Sequence, residues 1–485
     1  MSSLKKLFQQ TFIYGLATVL PRMLSFLLVP LYTAVLPVKE YGEVSVIFSW
    51  IVLFNVFLAY GMETAFFRFY HKEKNKELVI STSTISLIFS SVIFLVLAYV
   101  LSPNLAEWSG IKTEYINYTI SVLTLDALVI IPFAWLRANE KATRYAVVKI
   151  LNVAVNLVLN TFFLLLLPKL AASSTGFFHS LYFPEDKIIY IFISMAIASA
   201  FTFLLMSPFY LKIGYKFSKG LWKEMMVYAY PVLFAGIAFA INETFDRILL
   251  DWLLPAGIAE TDIGAYTACY KLAIFMTLFA TAFRMGIEPF FFSHASNKNA
   301  PETYALITRY FVAFGSVILL TVVVFSDLLK LLIIRNSDYW QAMKIVPLIL
   351  LANLCLGIYH NLSVWYKITD RTKFGAYISL AGAAITLGLN FLLIPEISYM
   401  GSAIATVAAY GSMMLLSFYL GQKYYPIPYD LEKIGTYLVL SVVLSAICFY
   451  VFRNNYYIRI ALWIAFLILI FSLEKRAIKQ LIFRK

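Results

Sequence analysis

Four charged side chains lie within a stretch of the sequence that is otherwise apolar, Tyr228–Leu254. At about 1.5 Å per residue, a helix of this length spans a bilayer core of about 30 Å. Glu243, Arg247 and Asp251 follow one another every four residues, with Asp246 beside them, so a helix presents them as one polar stripe. A charge near the bilayer centre costs at least about 2.5 kcal/mol. The stripe is therefore expected to face a wet cavity or another helix, and it predicts one wall of a transport pathway.

Two interpretations of this stripe stay open. In the first, the carboxylates neutralise Arg247 in a structural ion-pair cluster between helices. In the second, Arg247 faces an anionic ligand. The second is favoured by a counterpart near the N-terminus, residues 14–36, where Arg22 directly follows the helix-kinking Pro21. Two arginines inside two equivalent helices indicate one shared anionic ligand.

The composition is that of a polytopic membrane protein, because 61% of the 485 residues are hydrophobic and 13% are charged. Breaks rich in Pro, Gly, Lys and Arg separate long apolar runs, which predicts helices rather than barrel strands. The runs predict an all-α fold with about fourteen transmembrane helices. They fall at 11–36, 44–66, 79–101, 116–136, 145–168, 188–211, 227–253, 264–288, 304–326, 344–366, 374–395, 399–421, 433–452 and 457–473.

Charge in the connecting segments alternates along the chain. Most of the 39 lysines and arginines fall in the segments on the N-terminal side of the membrane, so both termini are predicted to be cytoplasmic. The net charge of +13 is then a membrane feature, and no nucleic-acid partner is expected. The first apolar run follows a basic start and continues through Arg22, which predicts an uncleaved first helix.

No group of residues in the sequence suggests catalysis. The three cysteines lie inside apolar runs, and the four histidines are not grouped, so neither a metal site nor a cofactor is expected. No Walker-type loop is present. The longest external loop, 169–187, is too short for a catalytic domain and is expected to form a lid or surface cap. The chain is predicted to be a transporter rather than an enzyme.

The sequence contains an internal repeat. Trp135–Ile150 aligns with Trp365–Leu380, each with a Trp at the end of one helix, a basic turn and the start of the next helix. The Pro37, Tyr41-Gly42 pattern is similarly matched by Pro255, Ile263-Gly264. Because six helices separate equivalent positions, the repeat is parallel, with its axis along the membrane normal. We expect an N-lobe at 1–215, a C-lobe at 216–425, and helices 13 and 14 with a basic cytoplasmic tail at 426–485.

This layout resembles a known superfamily. Asn390–Tyr410, NFLLIPEISYMGSAIATVAAY, carries an Asn, an Ile-Pro turn and a Gly-x-Ala-x-Ala-Thr helix start at the junction of helices 11 and 12. Together with the Pro37, Tyr41-Gly42 pattern, it is similar to the polysaccharide-transporter branch of the multidrug/oligosaccharidyl-lipid/polysaccharide (MOP) exporter superfamily. After Pro168 the N-terminal copy departs from the pattern, because the external loop replaces the Gly-x-Ala start.

The resemblance implies a flippase in the bacterial cytoplasmic membrane that moves a polyprenyl-diphosphate-linked oligosaccharide for O-antigen or capsule synthesis and works by alternating access. Its partners would be the lipid-linked oligosaccharide, membrane lipids and polysaccharide polymerase or export proteins. Arginine binds phosphate oxygens with a planar fork and lysine adds a point charge. The candidate ligands of the diphosphate are Arg22, Arg247, Lys271 and Arg284. For Lys271 the alternative is snorkelling to water, and for Arg284 it is pairing with Glu288.

Three carboxylates are candidates for coupling transport to a proton or sodium gradient. A buried carboxylate beside an arginine can exchange its partner for a proton. The candidates are Asp126, Glu243 and Asp246. For Asp126 the alternative is a hydrogen bond to a neighbouring helix.

Competing functions predict other features. A cation-coupled multidrug exporter of the same superfamily usually has twelve helices and an acidic or apolar cavity. A polysaccharide polymerase or ligase predicts a large external loop with paired Arg and His or with paired carboxylates, whereas the longest external loop, 169–187, has only His179 and the adjacent Glu185-Asp186. A flippase for the peptidoglycan precursor is compatible with every feature above.

Overall fold

The computed structural model describes residues 19–20, 23–173, 176–295 and 297–483, and the side chains of these residues except at 289, 292, 293 and 476–483. Within the described ranges the chain forms helices and connecting loops. Thirteen described helices are long and apolar enough to cross a membrane, and one shorter apolar helix precedes them. We number them in chain order: α1 Met23–Val35, α2 Val38–Lys72, α3 Lys76–Ser109, α4 Thr113–Ala138, α5 Ala142–Ser173, α6 Ile188–Tyr210, α7 Lys219–Leu253, α8 Ile258–Glu288, α9 Ala300–Val324, α10 Ser337–Ile368, α11 Lys373–Ile397, α12 Tyr399–Tyr424, α13 Leu431–Val451 and α14 Tyr456–Lys475.

The predicted all-α, multi-pass fold with about fourteen helices is confirmed, since each predicted apolar run from 44 onward overlaps one of α2 to α14. Predicted helix 1 corresponds to α1. Part of it, including Pro21 and Arg22, lies outside the described residues.

Local capping sets several helix ends. The Asn75 side chain accepts a hydrogen bond from the backbone N–H of Leu78 at 3.1 Å, which satisfies one exposed donor at the start of α3. Gly110 ends α3 with φ +68°, a left-handed conformation that glycine adopts without steric cost. Because such caps lie outside the apolar core, the helices extend beyond the runs that hydropathy alone detects.

The described residues form two compact units, one up to Gly264 and one from Ala265. The boundary falls within α8. The lobes at 1–215 and 216–425, with a C-terminal segment at 426–485, stay a prediction.

In the first unit, α2 and the start of α8 approach each other through two glycines. A Cβ on Gly42 would lie 1.8 Å from the Glu260 carbonyl oxygen, and one on Gly264 would lie 2.0 Å from the Val38 carbonyl oxygen. Each of the two glycines thus lies directly against a backbone carbonyl of the other helix. A reciprocal contact of this kind is what equivalent positions of a two-fold repeat produce, and the two glycines occupy the positions that the sequence repeat matches.

The external loop is held to the first unit at its end. Asp186 accepts hydrogen bonds from Lys112 Nζ at 3.1 Å and from the Tyr115 hydroxyl, both at the start of α4. The loop also contains a short helix, Phe177–Ser180. These contacts fix the end of the loop beside α4.

In the second unit, α8, α9 and α10 pack closely. The Phe279 and Phe311 rings stack with centroids 5.0 Å apart, and a Cβ on Gly357 would lie 2.5 Å from the Phe311 ring. Helices α13 and α14 pack against α9: Glu474 of α14 accepts hydrogen bonds from Arg309 of α9 at 2.9 Å and from Tyr437 of α13 at 2.6 Å. The last two helices are therefore an integral part of the second unit.

Candidate anion-binding site

A cleft between α8 and α10 contains an arginine beside a histidine. Arg284 lies near the end of α8, and its Nη1 is 3.4 Å from Nε2 of His360. A guanidinium has only donors, so Nε2 of His360 accepts, and the neutral ring carries its proton on Nδ1. Arg284 is partly exposed. The contact orients the guanidinium without removing its charge.

A lysine and a glutamate form the second charged pair of this cleft. Lys367 lies two helical turns beyond His360, and its Nζ is 2.6 Å from Oε1 of Glu288, with side-chain exposures of 28% and 39%. The alternative expected from the sequence paired Arg284 with Glu288. Among the described residues, the ion pair of Glu288 is the one with Lys367.

The cleft has about 380 Å³ of empty space, including its open mouth. At Gly357 the helices pack closely, because a Cβ there would lie 2.5 Å from the Phe311 ring and 3.3 Å from the Ala280 Cβ. Its lining residues are Ala280, Arg284, Ile287, Glu288, Phe291, Gly357, His360, Asn361, Ser363, Val364 and Lys367.

The charges of this cleft suit an anion. Arg284 and Lys367 bring two positive charges to one concave surface, and Glu288 offsets one of them. A planar guanidinium donates two parallel hydrogen bonds to a phosphate, and an ammonium adds a mobile point charge. Asn361 adds a neutral polar group. We call this space the α8–α10 cleft. Its charged and titratable side chains are Arg284, Glu288, His360 and Lys367.

The stripe on α7 has a different environment. Arg247 and Asp246 are 7% and 6% exposed, and Nη1 of Arg247 is 2.8 Å from Oδ1 of Asp246. The same Nη1 donates to the Glu243 carbonyl oxygen at 3.4 Å. This ion pair lies within α7, whereas the first interpretation of the stripe expects a cluster between helices, and both interpretations stay predictions. A role for Arg247 in substrate binding, and for Asp246 and Glu243 in coupling, stays a prediction.

Asp126 lies among polar side chains of α4, α5 and α6. It accepts a hydrogen bond from the Ser199 hydroxyl at 2.8 Å and interacts electrostatically with Lys149, whose Nζ lies 4.3 Å from the Phe133 ring centroid. Asp126 thus has the hydrogen bond to a neighbouring helix that its alternative interpretation expects. Coupling at Asp126 stays a prediction.

Lys271, another predicted ligand, is not among the residues that line the α8–α10 cleft. Lys271 begins a 3₁₀ turn, Lys271–Ala273, within α8. It lies about 20 Å along the helix from Arg284, counted at about 1.5 Å per residue. Arg22 is outside the described residues.

Sequence reasoning missed His360 and Lys367 as site residues. Both were visible only as a histidine near a span end and a lysine in a basic turn. Their spacing of seven residues, which places both on one helix face, was the available signal.

This helical architecture is shared with solved structures of membrane transporters. The chain matches the structure of "Lipid II flippase MurJ, inward closed conformation" with a TM-score of 0.76 and 15% identity, covering 96% of this chain and 99% of that chain. It also matches an inward-facing multidrug resistance MATE family transporter of the MOP superfamily, with a TM-score of 0.60, 12% identity, and coverage of 88% and 95%. The fold is that of the MOP superfamily, as the sequence predicted.

The fold also matches a MOP superfamily transporter from Pyrococcus furiosus that is described as having a binding pocket of reverse polarity. The TM-score is 0.55 and the identity 14%, with coverage of 89% and 95%. Residues 7–293, more than half of the chain, match the family model described as "Polysaccharide biosynthesis protein", and the chain belongs to this family. The match includes Arg284 and Glu288. A comparison with curated protein sequences found no match.

Proposed function

We propose that this protein is a flippase that moves a polyprenyl-diphosphate-linked oligosaccharide across the cytoplasmic membrane for surface polysaccharide synthesis. The observation that carries the proposal is the α8–α10 cleft with its cationic side chains. The family to which the chain belongs has the description "Polysaccharide biosynthesis protein", which supports the choice of substrate. A diphosphate inside a membrane protein needs cationic hydrogen-bond donors. Arg284 and Lys367 supply them.

In this mechanism the headgroup enters the protein while the polyprenyl tail stays in the bilayer. Arg284, oriented by His360, donates to the diphosphate, and Lys367 adds its charge. The protein then opens to the other side by alternating access, and both termini stay cytoplasmic. The chain makes and breaks no covalent bond of the substrate. A proton or sodium gradient drives the cycle through Asp126, Glu243 or Asp246, and a polysaccharide polymerase takes up the exported unit.

A peptidoglycan-precursor flippase is the second candidate. It is favoured by the TM-score of 0.76 to the MurJ structure, which is named for lipid II. A multidrug exporter fits the described cleft less well, because the net positive charge of Arg284, Lys367 and Glu288 would repel a cationic drug. The two flippase substrates share the polyprenyl diphosphate, so Arg284 and Lys367 would have the same role in both.

The test uses the native host with its chromosomal copy deleted and replaced. The double variant Arg284→Gln/Lys367→Gln is expected to reach the membrane at normal levels, to abolish surface polysaccharide and to accumulate the lipid-linked intermediate in the inner leaflet. Arg371→Gln is the matched control, since Arg371 lies in the same unit but stacks on Tyr424, with 4.7 Å between Cζ and the ring centroid. Normal export by the double variant would contradict the proposal. A defect in the cell wall instead of the surface polysaccharide would identify the second candidate.

A further inference from the structure

Glu288 occupies the position in the α8–α10 cleft that an external anion would take. Its Oε1 lies 2.6 Å from Lys367 Nζ, a distance typical of a strong charge-assisted hydrogen bond. Both side chains are partly exposed, so the pair can open without unfolding either helix. The internal carboxylate and an incoming diphosphate therefore compete for one ammonium.

The charged and titratable groups that line this cleft come from both of its walls. Glu288 and Arg284 project from α8, and His360 and Lys367 project from α10. Arg284 contacts the neutral ring of His360, whereas Lys367 contacts a carboxylate. Among the described residues, Arg284 has no carboxylate partner, whereas Lys367 is neutralised by Glu288.

The different pairing of Arg284 and Lys367 matters for a carrier that must return across the membrane without its ligand. Two unpaired cations would hold a diphosphate tightly and would be costly to carry through the membrane without a ligand. A carboxylate that replaces the departing anion weakens diphosphate binding. It also lowers the free energy of carrying the cations through the membrane without a ligand. Binding that is equally strong before and after translocation would slow release.

We infer that Glu288 is an internal competitor for the substrate's diphosphate: it leaves Lys367 when the headgroup binds and returns when the headgroup departs. This inference rests on the proposed function and adds a residue that sets affinity and turnover. Glu288 thereby weakens binding and speeds release and return. The competing partner is a diphosphate ester, whose two phosphates offer separate acceptors to the two cations that line this cleft, Arg284 and Lys367.

The experiment uses the full-length protein reconstituted in lipid vesicles, with farnesyl-diphosphate-linked N-acetylglucosamine as the probe. For Glu288→Gln, the probe's Kd is expected to fall about fivefold, the effect of removing one partly exposed charge. The maximal transport rate is expected to fall as well, because release slows. Glu302→Gln is the control: Glu302 lies in the same unit, exposed at the start of α9 and outside the cleft, and its removal should change neither quantity.

The double variant Glu288→Gln/Lys367→Gln isolates the competition. If Glu288 acts through Lys367, the gain in affinity disappears when Lys367 is absent. A purely structural role for Glu288 would lower thermal stability without giving tighter binding together with slower turnover.

Failure of the inference is distinguishable from failure of the proposed function. If the wild-type protein binds and transports the probe and Glu288→Gln has the same Kd and rate, the inference is wrong and the proposed function stands. If neither the wild type nor Glu288→Gln binds the probe, the proposed function is wrong and the inference falls with it. Tighter binding in Glu288→Gln that persists without Lys367 would also overturn the inference.

Discussion

Arg247 in α7 and Arg284 in α8 are both arginines inside membrane-spanning helices, but their surroundings are opposite. Arg247 is 7% exposed and forms an ion pair with Asp246, its neighbour in sequence. Arg284 is partly exposed in a cleft, and its closest described polar partner is the neutral His360 ring. The first arrangement cancels the charge inside the protein. The second keeps it available.

The difference shows how a membrane protein accommodates arginine. A buried ion pair removes the cost of an isolated charge but adds little net stability, because both ions lose their hydration. An arginine in an open cleft stays partly hydrated and can exchange water for an anion. An arginine within an apolar run is therefore ambiguous by itself. Its partner decides whether it supports the structure or binds a ligand.

The largest expected effect is on stability, at the Arg247 pair. Asp246→Asn removes the carboxylate that neutralises a buried guanidinium, which should lower the free energy of unfolding by about 3–5 kcal/mol. The measurement is thermal unfolding of the detergent-purified protein. Asp246→Asn/Arg247→Gln should regain most of the loss, because both charges of this pair are then removed.

The control for this prediction is an exposed ion pair in the same unit. Glu63 and Arg137 are 2.7 Å apart and both 42% exposed. Glu63→Gln should cost at most about 1 kcal/mol. If Asp246→Asn were as mild as Glu63→Gln, the structural role of the Arg247 pair would be refuted.

A third arginine, Arg459, is buried and paired with a carboxylate, as Arg247 is. Arg459 of α14 is 1% exposed and donates to Asp327 Oδ2 at 2.8 Å and to the Val323 carbonyl oxygen at 3.1 Å. Burial raises the pKa of Asp327, but hydrogen bonds from Lys330 and Arg459 outweigh this and hold the pKa below its ordinary value. Asp327→Asn should therefore cost about 2 kcal/mol at neutral pH.

This loss should depend on pH with a definite sign. A carboxylate whose pKa is lower in the folded state stabilises the protein above its unfolded pKa of about 3.9, and this contribution is lost as the pH falls through the folded pKa. The difference in Tm between the wild type and Asp327→Asn should shrink toward acidic pH. A difference that grew toward acid would show that the Asp327 carboxylate is not stabilised by its charge.

Arginine-to-lysine exchange compares the two main sites directly. Arg247→Lys cannot reproduce the contacts to both Asp246 and the Glu243 carbonyl oxygen, so it should lower stability by about 1–2 kcal/mol. Arg284→Lys keeps the charge but loses the fork, so transport should fall about fivefold with stability nearly unchanged. Both quantities are measured for both variants. If the two variants lost stability and transport in the same proportion, the sites would not differ in kind.

The fold was largely predictable because hydropathy reports the bilayer core directly. The apolar run 79–101 identified α3, for example, but the helix extends from Lys76 to Ser109, since hydrogen bonding continues through polar residues outside the core. The repeat predicted that Gly42 and Gly264 are equivalent. Their close approach to each other's backbones depends on tertiary packing and could not be read from spacing.

The site was predictable only in part. Arg284 was a candidate ligand of the diphosphate because an arginine within an apolar helix is costly unless it pairs with an acid or binds an anion. Its contact with His360 and the Lys367–Glu288 pair join α8 to α10, across a separation in sequence that no local pattern reports. Conversely, the charge of Arg247 was visible, but its burial against Asp246 depended on rotamers that the sequence does not specify.

The smallest expected effect is at His360, the neutral partner of Arg284, which Arg247 lacks in its ion pair with Asp246. His360→Gln keeps an acceptor near Arg284 Nη1 and should leave transport within about twofold of wild type, whereas His360→Ala removes it and should lower transport about threefold. Since His71 is exposed in the other unit, His71→Ala is the control. If His360→Ala and His360→Gln were equally impaired, the ring would matter for packing alone. Rescue by glutamine would show instead that an uncharged acceptor orients the arginine while leaving its charge for the ligand.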